Sequence, residues 1–588
     1  MTAFKKILVA NRGEIALRVI RACRELGIPT VAVYSDADRG AVHVGAADEA
    51  YRLGPAPAAQ SYLNVERLME VAAQSGCDAV HPGYGFLAEN ARFARTCAEH
   101  GLTFIGPSAD LIEMMGGKIA ARRAATAAGI PVVPGTIEPV TNADAVRTLA
   151  KQFGYPIAIK AAAGGGGKGL KVAHDAGEVT HAIEMAQREA SAYFGDGTLY
   201  VEKYLARPKH VEVQIFGDKY GNVVHFGERD CSMQRRHQKL VEETPASISA
   251  QVRDGLLAAA AKLARSIKYD SAGTIECLVD DDDFYFLEMN TRIQVEHTVT
   301  EMVWGLDLVK AQIRVAAGER LWFSQSDLSP RGHAIECRIN AESPADDFRP
   351  HAGRIERYRE PGGPGVRVDA AGVAGTVIPQ EYDSLIGKLV VWGQDRDEAR
   401  ARMQRALGEF DIAGVETTIP FLRMLLADPA FARGDYTTLS VDEFRRLHAS
   451  AIEAAYPRAS SEGGEGAAEP KPTTLAVEVD DKRFNVRVLG LNGARTAASR
   501  RAPRFKPAKR VSTNSASVAA PMHGIVAEIR VKPGDNVQDG QVVAVIEAMK
   551  MMNEVIAHRA GVVASISAKA GDTIETGSPL LALETLGE

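Results

Sequence analysis

The sequence predicts a multidomain chain, α/β and α+β in its larger part, closed by a small all-β domain. Three observations predict it: a strand–helix–strand series at the N-terminus, acid-bearing apolar strands in the middle, and an internal repeat near the C-terminus. At 588 residues the chain exceeds what one hydrophobic core supports, so roughly three to five domains are expected.

Taken in order, residues 6–10 read as a strand, 13–26 as a helix and 30–34 as a strand, with 78–81 and 103–105 as later strands. A βαβ start implies a parallel, doubly wound sheet. A new pattern begins near 110–118. Residues 155–160 form an apolar strand that runs into Gly164-Gly165-Gly166-Gly167, and a further mixed segment spans 333 to about 447. Residues 460–472, rich in Gly, Ala, Glu and Pro, read as a linker. Alternation at 475–479 and 484–488 around Asp480-Asp481 suggests a small hairpin, and the basic stretch 495–510 a solvated tether. The expected boundaries are 1–112, 113–318, 319–448, 449–517 and 518–588.

Gly524-Ile525-Val526-Ala527 recurs as Gly561-Val562-Val563-Ala564, an offset of 37 residues. The same offset joins Gly534-Asp535 to Gly571-Asp572, Gly540 to Gly577 and Glu547 to Glu584. Two copies of a Val- and Gly-rich β half imply a pseudo-symmetric flattened barrel. Lys550, between Met549 and Met551, falls where the halves meet. A tight connection there presents a long side chain that is nucleophilic once deprotonated.

Bulk properties exclude several functions. A net charge of −6 argues against a general nucleic-acid binder. Six cysteines without a C-x-x-C spacing fit a reducing cytosol better than zinc or disulfides. No signal peptide or membrane-length apolar run is read, so a cytoplasmic protein is expected.

The glycine run lets backbone N–H groups approach phosphate oxygens. It is not a Walker loop, because Leu170 stands where lysine is required. Glu276 and Glu288 lie in apolar runs joined by a turn at 280–283, which places them opposite each other on a hairpin. With Asn290 they offer hard ligands for Mg2+ or Mn2+, although a solvated acidic hairpin fits the same pattern. If the chain past Asn290 is extended, Arg292, Gln294 and Glu296 share a face suited to a small anion and a proton acceptor.

Residues 5 to about 447 resemble the biotin carboxylase component of biotin-dependent carboxylases, an ATP-grasp enzyme. The resemblance is carried by Ala10-Asn11-Arg12-Gly13-Glu14-Ile15-Ala16, His81-Pro82-Gly83-Tyr84-Gly85-Phe86, Glu228-Arg229-Asp230-Cys231-Ser232, Arg235-Arg236-His237-Gln238-Lys239 and the stretch 288–297. Ala548-Met549-Lys550-Met551 resembles the motif of biotinyl carrier domains. The resemblance implies a Rossmann-like N-terminal domain, an ATP-grasp domain, a mixed C-terminal biotin carboxylase domain and a biotinyl domain. It implies that Lys118, Lys160, His210 and His237 hold ATP phosphates and ribose, Gly166 and Gly167 sit in a lid, and Glu202, Lys203, Tyr204 and Leu205 frame the adenine. It assigns Mg2+ to Glu276, Glu288 and Asn290, and bicarbonate to Lys239, Arg292 and the Val295 backbone. Glu296 would be the general base, Arg338 would stabilise the biotin enolate, and Lys550 would carry biotin. Tyr84 and Asp383 lie in stretches near the biotin pocket. Thr298 and Ala352 stand where the family usually has proline.

The implied partners are a carboxyltransferase β subunit, biotin protein ligase and further copies of the chain, with acetyl-CoA or propionyl-CoA as acceptor. The 27 residues 491–517 would tether the carrier. They span about 90 Å extended or about 30 Å as a coil. Two rival readings are another ATP-grasp ligase of the carbamoyl-phosphate type, and a non-enzymatic nucleotide-binding scaffold with a swinging arm.

Overall fold

The structure, a computed structural model, describes residues 4–135, 139–140, 142–161, 170–194, 196–457, 473–479, 482–488, 517–548 and 551–584. The chain forms two compact units, Met1–Tyr456 and Pro457–Glu588.

The first unit opens with β1 (Ile7–Val9), α1 (Gly13–Glu25), β2 (Thr30–Ser35), β3 (Glu49–Gly54), β4 (Ala79–His81) and β5 (Thr103–Phe104). They build a parallel sheet in the order β3-β2-β1-β4-β5. Ile7, Leu8 and Val9 are fully buried, as a parallel strand covered on both faces requires. α1 buries Ile15, Ala16, Val19, Ile20 and Cys23, a stripe with helical period. The edge strand β3 escaped the sequence reading, because Glu49, Tyr51 and Arg52 interrupt its apolar pattern.

Three strands, β6 (Ile157–Ala161), β7 (Leu170–Ala173) and β8 (Leu199–Lys203), form an antiparallel sheet in the order β7-β6-β8. Residues 162–169, including Gly166 and Gly167, lie outside the described residues.

A larger antiparallel sheet uses β9 (Lys209–Gly217), β10 (Val223–Arg235), β11 (Gln238–Thr244), β12 (Ser271–Asp280), β13 (Asp283–Asn290) and β14 (His333–Asn340). Its order is β13-β12-β9-β10-β11-β14, continued by the strands Leu385–Gly393 and Val366–Ala370. One hydrogen-bonded sheet therefore carries side chains from both the middle and the later part of the unit. Its apolar sides are sealed by two clusters, one with Val213, Ile275 and Phe286, the other with Ile335, Leu389 and Phe421.

In the second unit Thr473–Val479 pairs antiparallel with Lys482–Val488, as the alternation predicts. The C-terminal part is two four-stranded sheets enclosing Val526, Ile546, Val563 and Leu583. The sequence repeat is a structural one. Ile525 faces Glu547 in one antiparallel strand pair and Val562 faces Glu584 in the other, each residue 37 positions on. Lys550 lies outside the described residues, between strands that pair up to Ala548 and Met551. Among the described residues no helix is long and apolar enough to cross a membrane.

Candidate active site

β9 alternates apolar Val211, Val213 and Ile215 with polar His210, Glu212 and Gln214. Such alternation ordinarily marks one solvated face, yet all six residues are buried. The polar face lines a site. Glu212 stands opposite Glu276 on β12, and Glu276 opposite Glu288 on β13, so three glutamates form a row across three strands. The facing of Glu276 and Glu288 is the one the sequence predicts.

Buried like charges need partners. Lys239 Nζ lies 2.6 Å from Glu212 Oε2, 2.5 Å from Glu296 Oε1 and 3.2 Å from Glu276 Oε1. Arg229 Nε donates to Glu212 at 2.6 Å, and His210 Nε2 sits 3.0 Å from Glu276 Oε2. Burial alone would lower the Lys239 ammonium, but the surrounding acidic groups hold it well above the usual lysine range. Burial likewise opposes ionisation of Glu276 and Glu296. Lys239 with His210, and Lys239 with Arg338 and Arg229, nevertheless hold these carboxyls well below the usual range. Glu288 goes the other way: burial and Glu276 push it up, against the pull of Lys118. A divalent cation between Glu276 and Glu288 relieves that repulsion, so the residues present fit Mg2+. Asn290 gives Nδ2 to Glu276 at 2.8 Å and accepts from Arg292 at 2.9 Å through Oδ1. To serve as a cation ligand its Oδ1 must exchange Arg292 for the metal.

Arg292, Gln294 and Glu296 do not follow one extended strand. The chain bends after Asn290 and turns at 295–296, where Glu296 becomes the residue before the helix His297–Trp304. Gln294 donates to Glu276 at 2.8 Å, and Arg338 reaches Glu296 Oε2 at 3.0 Å and Glu242 Oε1 at 2.5 Å. The irregular path brings Gln294 and Glu296 to the Glu276–Lys239 pair, while Arg292 reaches Asn290 and Glu89. Thr298 follows inside the helix, and its hydroxyl donates to the buried Glu336, a bond proline could not make.

A second group lies on the three-stranded sheet. Lys160 and Arg122 both grip the buried Glu202 carboxylate, so Glu202 acts there through its ion pairs. Lys203 is exposed and Leu205 buried; the Lys203 and Tyr204 N–H groups bond Pro134 and Pro156 carbonyls. Burial lowers the Lys118 ammonium against the field of Glu288. His237 occupies the β10–β11 turn with φ +66°.

Sequence reasoning missed Glu212, Glu242 and Glu89. Glu89, from the loop after β4, accepts from Arg292 Nε at 2.8 Å and from the Thr291 N–H at 3.1 Å. Only Glu212 left a signal, as an acid inside the alternating run of β9.

Comparison with known proteins shows the family. Four family profiles match: the biotin carboxylase N-terminal domain over 3–112, the ATP-binding domain of the carbamoyl-phosphate synthase L chain over 117–323, the biotin carboxylase C-terminal domain over 336–443, and the biotin-requiring enzyme domain over 515–583. The biotin-dependent acyl-coenzyme A carboxylase alpha3 subunit of Mycobacterium leprae is 45% identical over 94% of this chain and 94% of its own. A pyruvate carboxylase subunit of Methanothermobacter thermautotrophicus is 54% identical over 75% of this chain and 90% of its own. Among solved structures, the biotin carboxylase domain dimer of Hydrogenobacter thermophilus 2-oxoglutarate carboxylase, crystallised with MgADP, ADP and bicarbonate, superimposes with a TM-score of 0.73 at 50% identity. That match covers 76% of this chain and 99% of the other. A buried row of acids answered by lysine and arginine, three biotin carboxylase segments in order and one internally repeated biotinyl domain on the same polypeptide lead to one assignment: the chain belongs to the biotin-dependent carboxylases and unites their biotin carboxylase with their biotinyl carrier.

Proposed function

We propose that the chain is the α subunit of an acyl-CoA carboxylase. At the expense of ATP it places the carboxyl group of bicarbonate on biotin held by Lys550, for transfer to acetyl-CoA or propionyl-CoA on a separate carboxyltransferase β subunit. The observation that carries this reading is the Mycobacterium leprae α subunit, which matches through both units, whereas the 2-oxo-acid carboxylase relatives match 75% of the chain. Biotin protein ligase is the modifying partner. An α-subunit oligomer is the expected core, as the Hydrogenobacter domain is a dimer.

In this reading Lys239, Arg292 and the Val295 backbone orient bicarbonate. Glu296, kept ionised by Lys239 and Arg338, takes its proton. A bicarbonate oxygen then bonds to the γ-phosphorus of ATP as the bond to the β-phosphate oxygen breaks and ADP leaves. Lys118, Lys160, His210 and His237 hold the nucleotide, with Gly166 and Gly167 in the covering loop. Glu276, Glu288 and Asn290 would hold Mg2+, which supplies positive charge against the phosphates. Arg338, already beside Glu296, offsets negative charge developing on the acceptor.

The acceptor is tested by combining the biotinylated chain with the β subunit that copurifies with it and offering acetyl-CoA, propionyl-CoA, pyruvate and 2-oxoglutarate. We expect carboxylation of a short acyl-CoA. The 54% identity to the Methanothermobacter pyruvate carboxylase chain favours a second reading; carboxylation of pyruvate or 2-oxoglutarate alone would establish it instead.

A further inference from the structure

Lys388 is fully buried, near the start of the strand Leu385–Gly393, with Arg338 and Asp369 as its cross-strand neighbours. Its Nζ donates to the Val295 carbonyl at 2.8 Å and lies 3.3 Å from Glu14 Oε1 on α1. Glu14 also accepts from the Tyr84 hydroxyl, and the Tyr84 ring centroid is 6.0 Å from the ammonium. Taking an ammonium out of water costs several kcal/mol; Glu14 offsets part of it, and so do the buried Glu336 and Asp369, whose carboxyls the ammonium also pulls down. A methionine would fill the same space without that cost.

What the ammonium adds is a fixed donor under one peptide group. The Val295 carbonyl shares its peptide plane with the Glu296 nitrogen, so holding the oxygen fixes the direction in which Glu296 leaves the backbone. Arg338, opposite Lys388 on the adjacent strand, holds the Glu296 carboxylate. Two neighbouring cations thus act around Glu296, Lys388 on the Val295 carbonyl of the peptide that leads into it and Arg338 on its side chain.

We propose that Lys388 is a positioning residue for the bicarbonate step, setting the Val295–Glu296 peptide and thereby the aim of the Glu296 carboxylate. The inference rests on the reading of Glu296 as the base and of Val295 as part of the bicarbonate site. Lys388 touches no reactant itself.

The test compares bicarbonate-dependent ATP hydrolysis, with biotin present, in wild type, Lys388→Met, Lys388→Gln and Glu296→Gln. Lys388→Met should lower kcat on the order of 100-fold, the scale for ångström-size misplacement. It should also raise KM for bicarbonate and leave KM for ATP within about twofold. Lys388→Gln, which keeps an N–H donor, should recover much of the loss. Should Lys388→Met fold poorly, Glu14→Gln/Lys388→Met removes the stranded carboxylate and should show the same split. Wild-type kcat and bicarbonate KM in Lys388→Met, alongside a dead Glu296→Gln, would overturn the positioning role alone. An equal loss of ATP and bicarbonate affinity without rescue by glutamine would overturn it too. Full turnover in Glu296→Gln would remove the base and the proposal together.

Discussion

Glu296 is buried yet held ionised, because Lys239 and Arg338 reach its two oxygens, at 2.5 and 3.0 Å. Placement of charge at single residues also sets how the unit responds to acid. His43, fully buried with Nε2 3.3 Å from the Val33 carbonyl, is pushed down to about 4 by burial, and His81 by burial to about 3. Both folded values lie below the unfolded one near 6.5, so the unfolded chain binds protons that the native chain declines. Stability from these sites is complete above about pH 6.5 and falls as pH drops toward the folded values. At pH 5 His43 alone removes about 2 kcal/mol. His43→Asn should lower the melting temperature at pH 7.5 but shrink its further fall between pH 7.5 and 5. An unchanged acid shift would show that His43 is not responsible.

At the scale of elements, the β12–β13 hairpin and the C-terminal duplication were both legible in the sequence. The hairpin is local, with strands, turn and side-chain alternation inside about 20 residues, and the duplication declares itself by repeating the same residues at one fixed offset. The duplication extends to backbone contacts. A Cβ on Gly524 would meet the Glu547 carbonyl oxygen at 2.4 Å, and one on Gly561 the Glu584 oxygen at 2.5 Å. Gly534 and Gly571, with φ of +93° and +92°, are the equivalent turn residues. Gly524→Ala and Gly561→Ala should therefore each destabilise the biotinyl domain by about 1–3 kcal/mol, read from its calorimetric transition in the full chain. An effect in one half only would mean that the repeat is not structurally equivalent. Glu89, Glu242 and Lys388 were not legible, because each reaches the site from a segment distant in sequence. No local period marks a residue whose partner lies about 90 or 200 positions away, as with Lys388 and Val295 or Glu89 and Arg292. The bend after Asn290 was hidden as well: alternating polar residues fit a strand until Lys239 and Arg338 fix where Glu296 must end.

For the whole molecule, a nucleotide-handling unit and a carrier share one polypeptide, joined by a segment the sequence reads as a tether. Such a connection keeps a carried group at high local concentration near its site without a permanent contact. The proposed function needs Glu296 and Lys550 in one reaction, although they lie in different units. The most direct measurement is transfer of label from radioactive bicarbonate to the protein itself, with ATP and Mg2+, after expression with a competent biotin ligase. The wild-type chain should acquire acid-labile label on the biotinyl domain, and Lys550→Ala and Glu296→Gln should acquire none. Label on Lys550→Ala equal to wild type, or a wild-type chain that hydrolyses ATP without acquiring label, would contradict the account.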